Sequence, residues 1–205
     1  MVDLPNIMII GLTGQSGAGK STVCRVFAEN GFRIINCDAI ARKTAEDPRF
    51  LEEISRRFTE ELITPEGVLD RKAVAKLIFT NNEKRGRYQR IIFPYIVNEI
   101  MREITRAGGN ILIDAPTLFE AKLDMLCDKI VSVTANLDKC AERIIKRDKM
   151  LPEQAYERLS SQHSADFFKE RSDYNIENNG TLEKLTSSAK QITDKLKAGA
   201  DNEQI

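Results

Sequence analysis

Eight consecutive residues, Gly14-Gln15-Ser16-Gly17-Ala18-Gly19-Lys20-Ser21, constrain this chain more than any other stretch. Glycines so closely spaced let a loop turn its backbone N–H groups toward one point, because residues without a Cβ reach conformations closed to the rest. The lysine and hydroxyl that follow complete the phosphate-loop spacing, Gly, four residues, then Gly-Lys-Ser/Thr. An apolar run from Ile7 to Ile10 precedes the loop, and Val23, Val26 and Phe27 follow at helical spacing. That is the strand, loop, helix order in which the motif works. Gly14, Gln15, Ser16, Gly17, Ala18, Gly19, Lys20, Ser21 and Thr22 are therefore expected to hold a nucleotide. Lys20 would face the outer phosphates, Ser21 would coordinate Mg²⁺, and the helix would point its positive end at the anion.

With 205 residues there is room for one compact domain carrying inserted lobes. Its 31 basic residues balance 31 acidic ones, which excludes a global positive field for nucleic acid and favours small anionic ligands. The four cysteines, Cys24, Cys37, Cys127 and Cys140, form neither a C-x-x-C pair nor a Cys/His cluster. They are read as reduced, mostly buried thiols rather than a zinc site. No window approaches the roughly eighteen apolar residues of a membrane span, and no basic, then apolar, leader opens the chain. The expectation is a cytoplasmic protein with no membrane or nucleic-acid partner; oligomeric state is left open, a monomer among the options.

Phe32 to Ile35 reads as a second strand that delivers Asp38 at its C-terminal end, where open α/β sheets bind ligands. Two roles stand side by side for Asp38: accepting a proton or helping to hold Mg²⁺, or capping a helix that begins at Ala39. Arg42, one turn on, would meet a phosphate or pair with Asp38. A helix over Pro48 to Phe58, a turn over Leu62 to Gly67, an N-cap at Asp70 and an apolar stripe from Ile91 to Ile104 describe helical hairpins. Pro94 is expected to kink or start a helix there. Arg85, Arg87 and Arg90 form a local basic cluster with two readings, contact with an anionic substrate or, more simply, a solvated helix face.

Ile111 to Asp114 is a third strand ending in a carboxylate that either supports Mg²⁺ through water or anchors the following loop. A fourth strand, Ile130 to Thr134, precedes a helix over Leu137 to Met150 that carries Arg143 and Arg147 on one face. Beside a phosphate loop that pair suits a transferring phosphoryl group, whereas Glu142 and Asp148 offer plain surface pairing. Pro152 restarts a helix carrying Arg158 and Gln162, and the polar stretch to Arg171 reads as a lid. His163, the only histidine, is assigned no role. Tyr174 to Glu177 makes a fifth strand. The turn Asn178-Asn179-Gly180 has amides suited to an adenine edge, and a helix with Leu182, Leu185, Ala189, Ile192 and Leu196 closes the chain, fraying after Lys197.

In this order the segments resemble the dephospho-CoA kinase family. The resemblance rests on Gly11-Leu12-Thr13-Gly14 leading into the phosphate loop and on Cys37-Asp38-Ala39-Ile40-Ala41-Arg42. Gly67-Val68-Leu69-Asp70-Arg71 with Ile78-Phe79, Pro116-Thr117-Leu118-Phe119-Glu120, and Asn178-Asn179-Gly180 extend it over nearly the whole chain. It implies ATP and Mg²⁺ as cofactors and dephospho-CoA as the substrate phosphorylated on its ribose 3′-hydroxyl. Asp38 matches the catalytic aspartate and Arg42 its companion on the dephospho-CoA side. Lys20 and Ser21 match the phosphate and Mg²⁺ ligands, Arg143 and Arg147 the arginines near ATP, and Asn179 the adenine loop. The chain departs from the family at Asn36 and Cys37, where Asp-Ala is usual, at Phe93 in place of His, and at Thr117 in place of Leu.

The expected fold is α/β, a P-loop kinase with a five-stranded, mostly parallel sheet flanked by helices. A core of about 1–47, 108–150 and 172–200 would carry an inserted helical CoA-binding lobe at about 48–107 and a helical lid at about 151–171. Two other readings share the nucleotide half: another small-molecule or nucleoside monophosphate kinase, or a nucleotide-binding regulatory module without catalysis.

Overall fold

A computed structural model describes residues 7–59 and 61–202. Five strands, β1 (Ile9–Gly14), β2 (Arg33–Asn36), β3 (Ile111–Asp114), β4 (Lys129–Thr134) and β5 (Tyr174–Glu177), form one sheet in the order β2-β3-β1-β4-β5. β1 pairs in parallel with β3 and with β4, and β4 pairs in parallel with β5. Strands covered on both faces need continuous apolar side chains, and Ile10, Leu12, Leu112, Val131 and Val133 are all fully buried.

The chain divides into two compact units, one from 1–35 with 107–205 and the other from 36–106. In the first, helix α1 (Lys20–Glu29) buries Val23, Val26 and Phe27, and a closing helix, called α9 in chain order, spans Leu182–Asn202. α9 buries Leu185, Ala189, Ile192 and Leu196 against the same core as α1. It runs on past Lys197, where the sequence led us to expect fraying. Helix α6 (Leu137–Asp148) adds Ile144 to this core. The stretch expected as a lid forms two further helices, α7 (Pro152–Ser160) and α8 (Ala165–Glu170). Both are anchored, since α7 buries Ala155 and Leu159 in the core and α8 buries Phe168.

The second unit is helical: α2 (Cys37–Thr44), α3 (Pro48–Arg57), α4 (Arg71–Thr80) and α5 (Asn82–Thr105). Local capping chemistry sets their starts. Asp47 Oδ1 accepts from Arg49 N at 2.9 Å, Asp70 Oδ1 from Lys72 N at 2.9 Å and Ala73 N at 3.0 Å, and Asn81 Oδ1 from Lys84 N at 2.9 Å. Phe50 is fully buried and meets Tyr88 and Tyr95 edge-on at 6.2 and 5.5 Å. The expected turn before Asp70 is closed by an antiparallel bridge between Ile63 and Leu69, with Gly67 at a φ of +79°.

Pro94 does not start a helix; it lies inside the single 24-residue helix α5. Pro94 is exposed, while Ile91, Ile92, Ile96 and Ile100 hold the helix by burial. Among the described residues no helix is long and apolar enough to cross a membrane.

Candidate functional site

β1 ends at Gly14 and α1 begins at Lys20, so residues 15–19 form the loop between them. Gly14 has a φ of +131°, and a Cβ there would stand 2.0 Å from the Val133 carbonyl oxygen. Gly19 has a φ of +109°, and its Cβ would fall 2.5 Å from Asn178 Nδ2. Left-handed backbone and close approach together admit only glycine at both places.

The loop's backbone groups divide into two sets. Ala18 N donates within the loop to Gln15 O at 3.2 Å, and Ser16 N donates to the Gln162 side chain at 2.9 Å. Among the described residues the N–H groups of Gly17, Gly19 and Ser21 have no hydrogen-bond partner. They belong to the loop and the first turn of α1, whose N-cap, Gly19, offers no side-chain cap. Donors left unpaired at a helix start attract anions, and several on one short loop make a phosphate cradle. Lys20 Nζ donates to Gly14 O at 2.7 Å and Gln15 O at 3.1 Å, which holds the ammonium along the loop.

Side chains from outside grip the loop. Arg143, on α6, donates from Nη1 to Gly17 O and from Nη2 to Asn178 O, both at 3.1 Å. Asn178, buried just past β5, donates from Nδ2 to Ala18 O at 2.7 Å, and its own N–H reaches Thr134 O at 2.7 Å. One arginine thus ties the loop to the β5–α9 turn. Arg147, one turn after Arg143, points elsewhere: it forks onto Asp148 through Nε at 2.7 Å and Nη2 at 2.8 Å. Arg158 adds a bond to the same carboxylate at 3.0 Å. The Arg147 guanidinium, then Arg158, hold the Asp148 carboxyl below the usual carboxylate range.

The sequence reads the amides of the Asn178-Asn179-Gly180 turn as suited to an adenine edge, and the family resemblance singles out Asn179. The Asn179 amide bonds to protein: Oδ1 accepts from Asn136 N at 2.8 Å, and Nδ2 donates to Asn136 Oδ1 at 2.9 Å and Glu177 Oε1 at 2.6 Å. Lys139 Nζ donates to the Asn179 carbonyl. Neither the inward turn of Asn178 nor the reach of Gln162 to Ser16 was legible in the sequence. The only signal was an Asn-Asn-Gly turn after a strand.

Asp38 and Arg42 lie in the helical unit. α2 starts at Cys37 rather than Ala39, and its cap is Asn36, whose Oδ1 accepts from Ala39 N at 2.7 Å. Asp38 is therefore not the cap, and it is exposed in the first turn. Asparagine and aspartate cap equally well, so the departure at position 36 preserves this function. Arg42 is exposed too, and among the described residues no ion pair joins it to Asp38. Asp114 closes β3, in register with Leu12 of β1. Its negative charge, after burial, helps push the Cys24 thiol up to about 11.

Comparison with known proteins extends this geometry. The family description of dephospho-CoA kinase matches residues 8–184. A dephospho-CoA kinase of Fusobacterium nucleatum is 38% identical over 182 residues, covering 88% of this chain and 94% of that one. One of Bacillus licheniformis is 32% identical over 193 residues, covering 91% and 96%. A crystal structure from Thermus thermophilus superposes with a TM-score of 0.80 at 28% identity, over 93% of this chain and 98% of the other. The dephospho-CoA kinase of Campylobacter jejuni, at 24% identity and a TM-score of 0.58 over 92% and 96% of the two chains, shares the fold. Because the family match runs from before β1 into α9 and covers the relatives almost end to end, the chain belongs to the dephospho-CoA kinase family.

Proposed function

We propose that this enzyme transfers the γ-phosphoryl group of MgATP to the ribose 3′-hydroxyl of dephospho-CoA, giving coenzyme A. The observation that carries the reading is the braced phosphate cradle in a chain whose family match is nearly complete. Phosphoryl transfer needs little covalent help from a protein; it needs in-line positioning and neutralisation of charge on the moving group.

The N–H groups of Gly17, Gly19 and Ser21 would receive phosphate oxygens, with Gln15, Ala18 and Thr22 completing the loop around them. Lys20 would exchange its carbonyl partners for the outer phosphates. Ser21 Oγ, exposed at the start of α1, is a hard oxygen donor of the kind Mg²⁺ prefers, and the phosphates and water would complete the shell. Mg²⁺, when bound, neutralises phosphate charge. Asp114, at the end of β3, would steady that shell through water.

Asp38 would accept the proton of the 3′-hydroxyl. Its exposed carboxylate, with Asn36 acting as the cap, supports that role. Arg42 would face the acceptor's phosphates. Arg143 would act from its place on the loop, and Arg147 would reach ATP by leaving Asp148. Asn179 would hold the wall of the adenine site through Asn136. Reduced cysteines fit a cytoplasmic setting.

The test is MgATP consumption with and without dephospho-CoA, with the product examined for a 3′-phosphate. Acceptor-dependent consumption that yields coenzyme A is the expected result. Preference for a nucleoside monophosphate would replace the acceptor, and slow hydrolysis untouched by any acceptor would make the chain a regulatory nucleotide binder.

A further inference from the structure

Three consecutive loop residues are each gripped by a different segment: Ser16 by Gln162, Gly17 by Arg143 and Ala18 by Asn178. The grip on Ser16 has two points. Gln162 Oε1 accepts from Ser16 N at 2.9 Å, and Gln162 Nε2 donates to Ser16 Oγ at 2.8 Å. One carboxamide thereby satisfies a main-chain donor and a side-chain acceptor of the same residue, 146 positions away.

Gln162 is itself held from both sides. Its N–H bonds to Leu159 O at 3.1 Å, and Leu159 is buried in the core. The next residue, His163, stacks on Phe167 at 3.7 Å with an interplanar angle of 11°. Arg171 lies over the Phe167 ring at 4.7 Å, and Phe119 meets that ring edge-on at 5.4 Å. A side chain fixed at both flanks loses little further freedom in making its bonds.

We propose that Gln162 is a positioning residue for the nucleotide: it fixes the Ser16 end of the phosphate loop so that the N–H groups of Gly17, Gly19 and Ser21 point to one place before any phosphate arrives. The inference rests on reading Gly14–Thr22 as the nucleotide cradle. Ser16 N–H lies outside the unpartnered set, so Gln162 steadies the cradle without occupying its donors. A preformed cradle binds the nucleotide alike in ground and transition states, and loosening it therefore appears in KM and not in kcat.

The experiment compares the parent chain with Gln162→Ala, Gln162→Met, Ser16→Ala and the Ser16→Ala/Gln162→Ala pair. It reads MgATP affinity by equilibrium dialysis, steady-state kinetics with dephospho-CoA, and folding by circular dichroism. Loss of two neutral hydrogen bonds should raise KM for MgATP about tenfold in both Gln162 variants, with kcat within about twofold. Ser16→Ala keeps the main-chain bond and should raise KM about threefold. In the Gln162→Ala background the same change should add nothing, because its partner is already gone. Unchanged KM in the Gln162 variants, or Ser16 and Gln162 effects that simply multiply, would overturn the proposal. So would a Gln162→Met chain that fails to fold, since that would make the role structural. A parent chain that binds no MgATP would overturn the cradle reading first, and this inference with it.

Discussion

The side-chain amide of Asn178 donates to the Ala18 carbonyl at 2.7 Å, and the two residues are 160 positions apart. The bond links the end of β5 to the centre of the phosphate loop and is fully buried. Replacing Asn178 by alanine removes the donor and leaves the Ala18 carbonyl without it. A cost of about 1–3 kcal/mol is expected for a buried acceptor stripped of its partner. Denaturant unfolding should show that loss, and MgATP should bind more weakly. An Asn178→Ala chain with parental MgATP affinity would separate the brace from the cradle.

Gly19→Ala should abolish MgATP binding. The new methyl would need a φ near +109° and would sit 2.5 Å from Asn178 Nδ2. Gly109→Ala is the control, because a Cβ there meets nothing within 4 Å. The pair is read by nucleotide titration, and equal affinity in the two variants would contradict the close approach.

Asp38→Asn should leave MgATP affinity within about twofold of the parent and lower kcat by roughly a hundredfold or more, the usual effect of a lost general base. The exposed carboxylate does not cap α2, so folding should be untouched. Single-turnover rates with dephospho-CoA measure this, and an unchanged rate would remove Asp38 from the chemistry.

The thiols carry a pH signature. Burial, with Asp114 nearby, pushes Cys24 up to about 11, and burial, with Asp124 and Asp128, pushes Cys127 up to about 12. Cys127 Sγ also lies 3.2 Å from the Leu123 carbonyl. Below the unfolded thiol value of 9.0 both states hold these protons, and stability is independent of them. Above it the unfolded chain ionises first, so stability should fall as pH rises from 9.0 toward about 12. At pH near 8, Cys24 and Cys127 should resist a disulfide reagent in the native chain and react once it is denatured. Peptide mapping of the labelled thiols decides it.

What was written locally in the chain could be read from it. The loop at Gly14–Ser21, the cap at Asp70, the five strands and the helical character of about 48–107 depend on backbone sterics, on hydrogen bonds between near neighbours and on apolar periodicity. The competing roles of Asp38 were not separable that way, because Asn36 two places earlier offers the same capping chemistry and only the placed backbone shows which residue takes it. The two readings of Pro94, starting a helix or kinking one, were likewise inseparable in the sequence, and only the placed backbone rules out the start. Gln162, Arg143 and Asn178 meet the loop from 126 to 160 positions away. The sequence by itself determined that a phosphate-binding loop would follow β1, since closely spaced glycines with Lys20 and Ser21 have few other uses. Tertiary structure alone decided which side chains hold that loop in shape. A distant hydrogen bond has no sequence period; it forms only where burial of α6, α7 and β5 on one core brings donor and acceptor within reach.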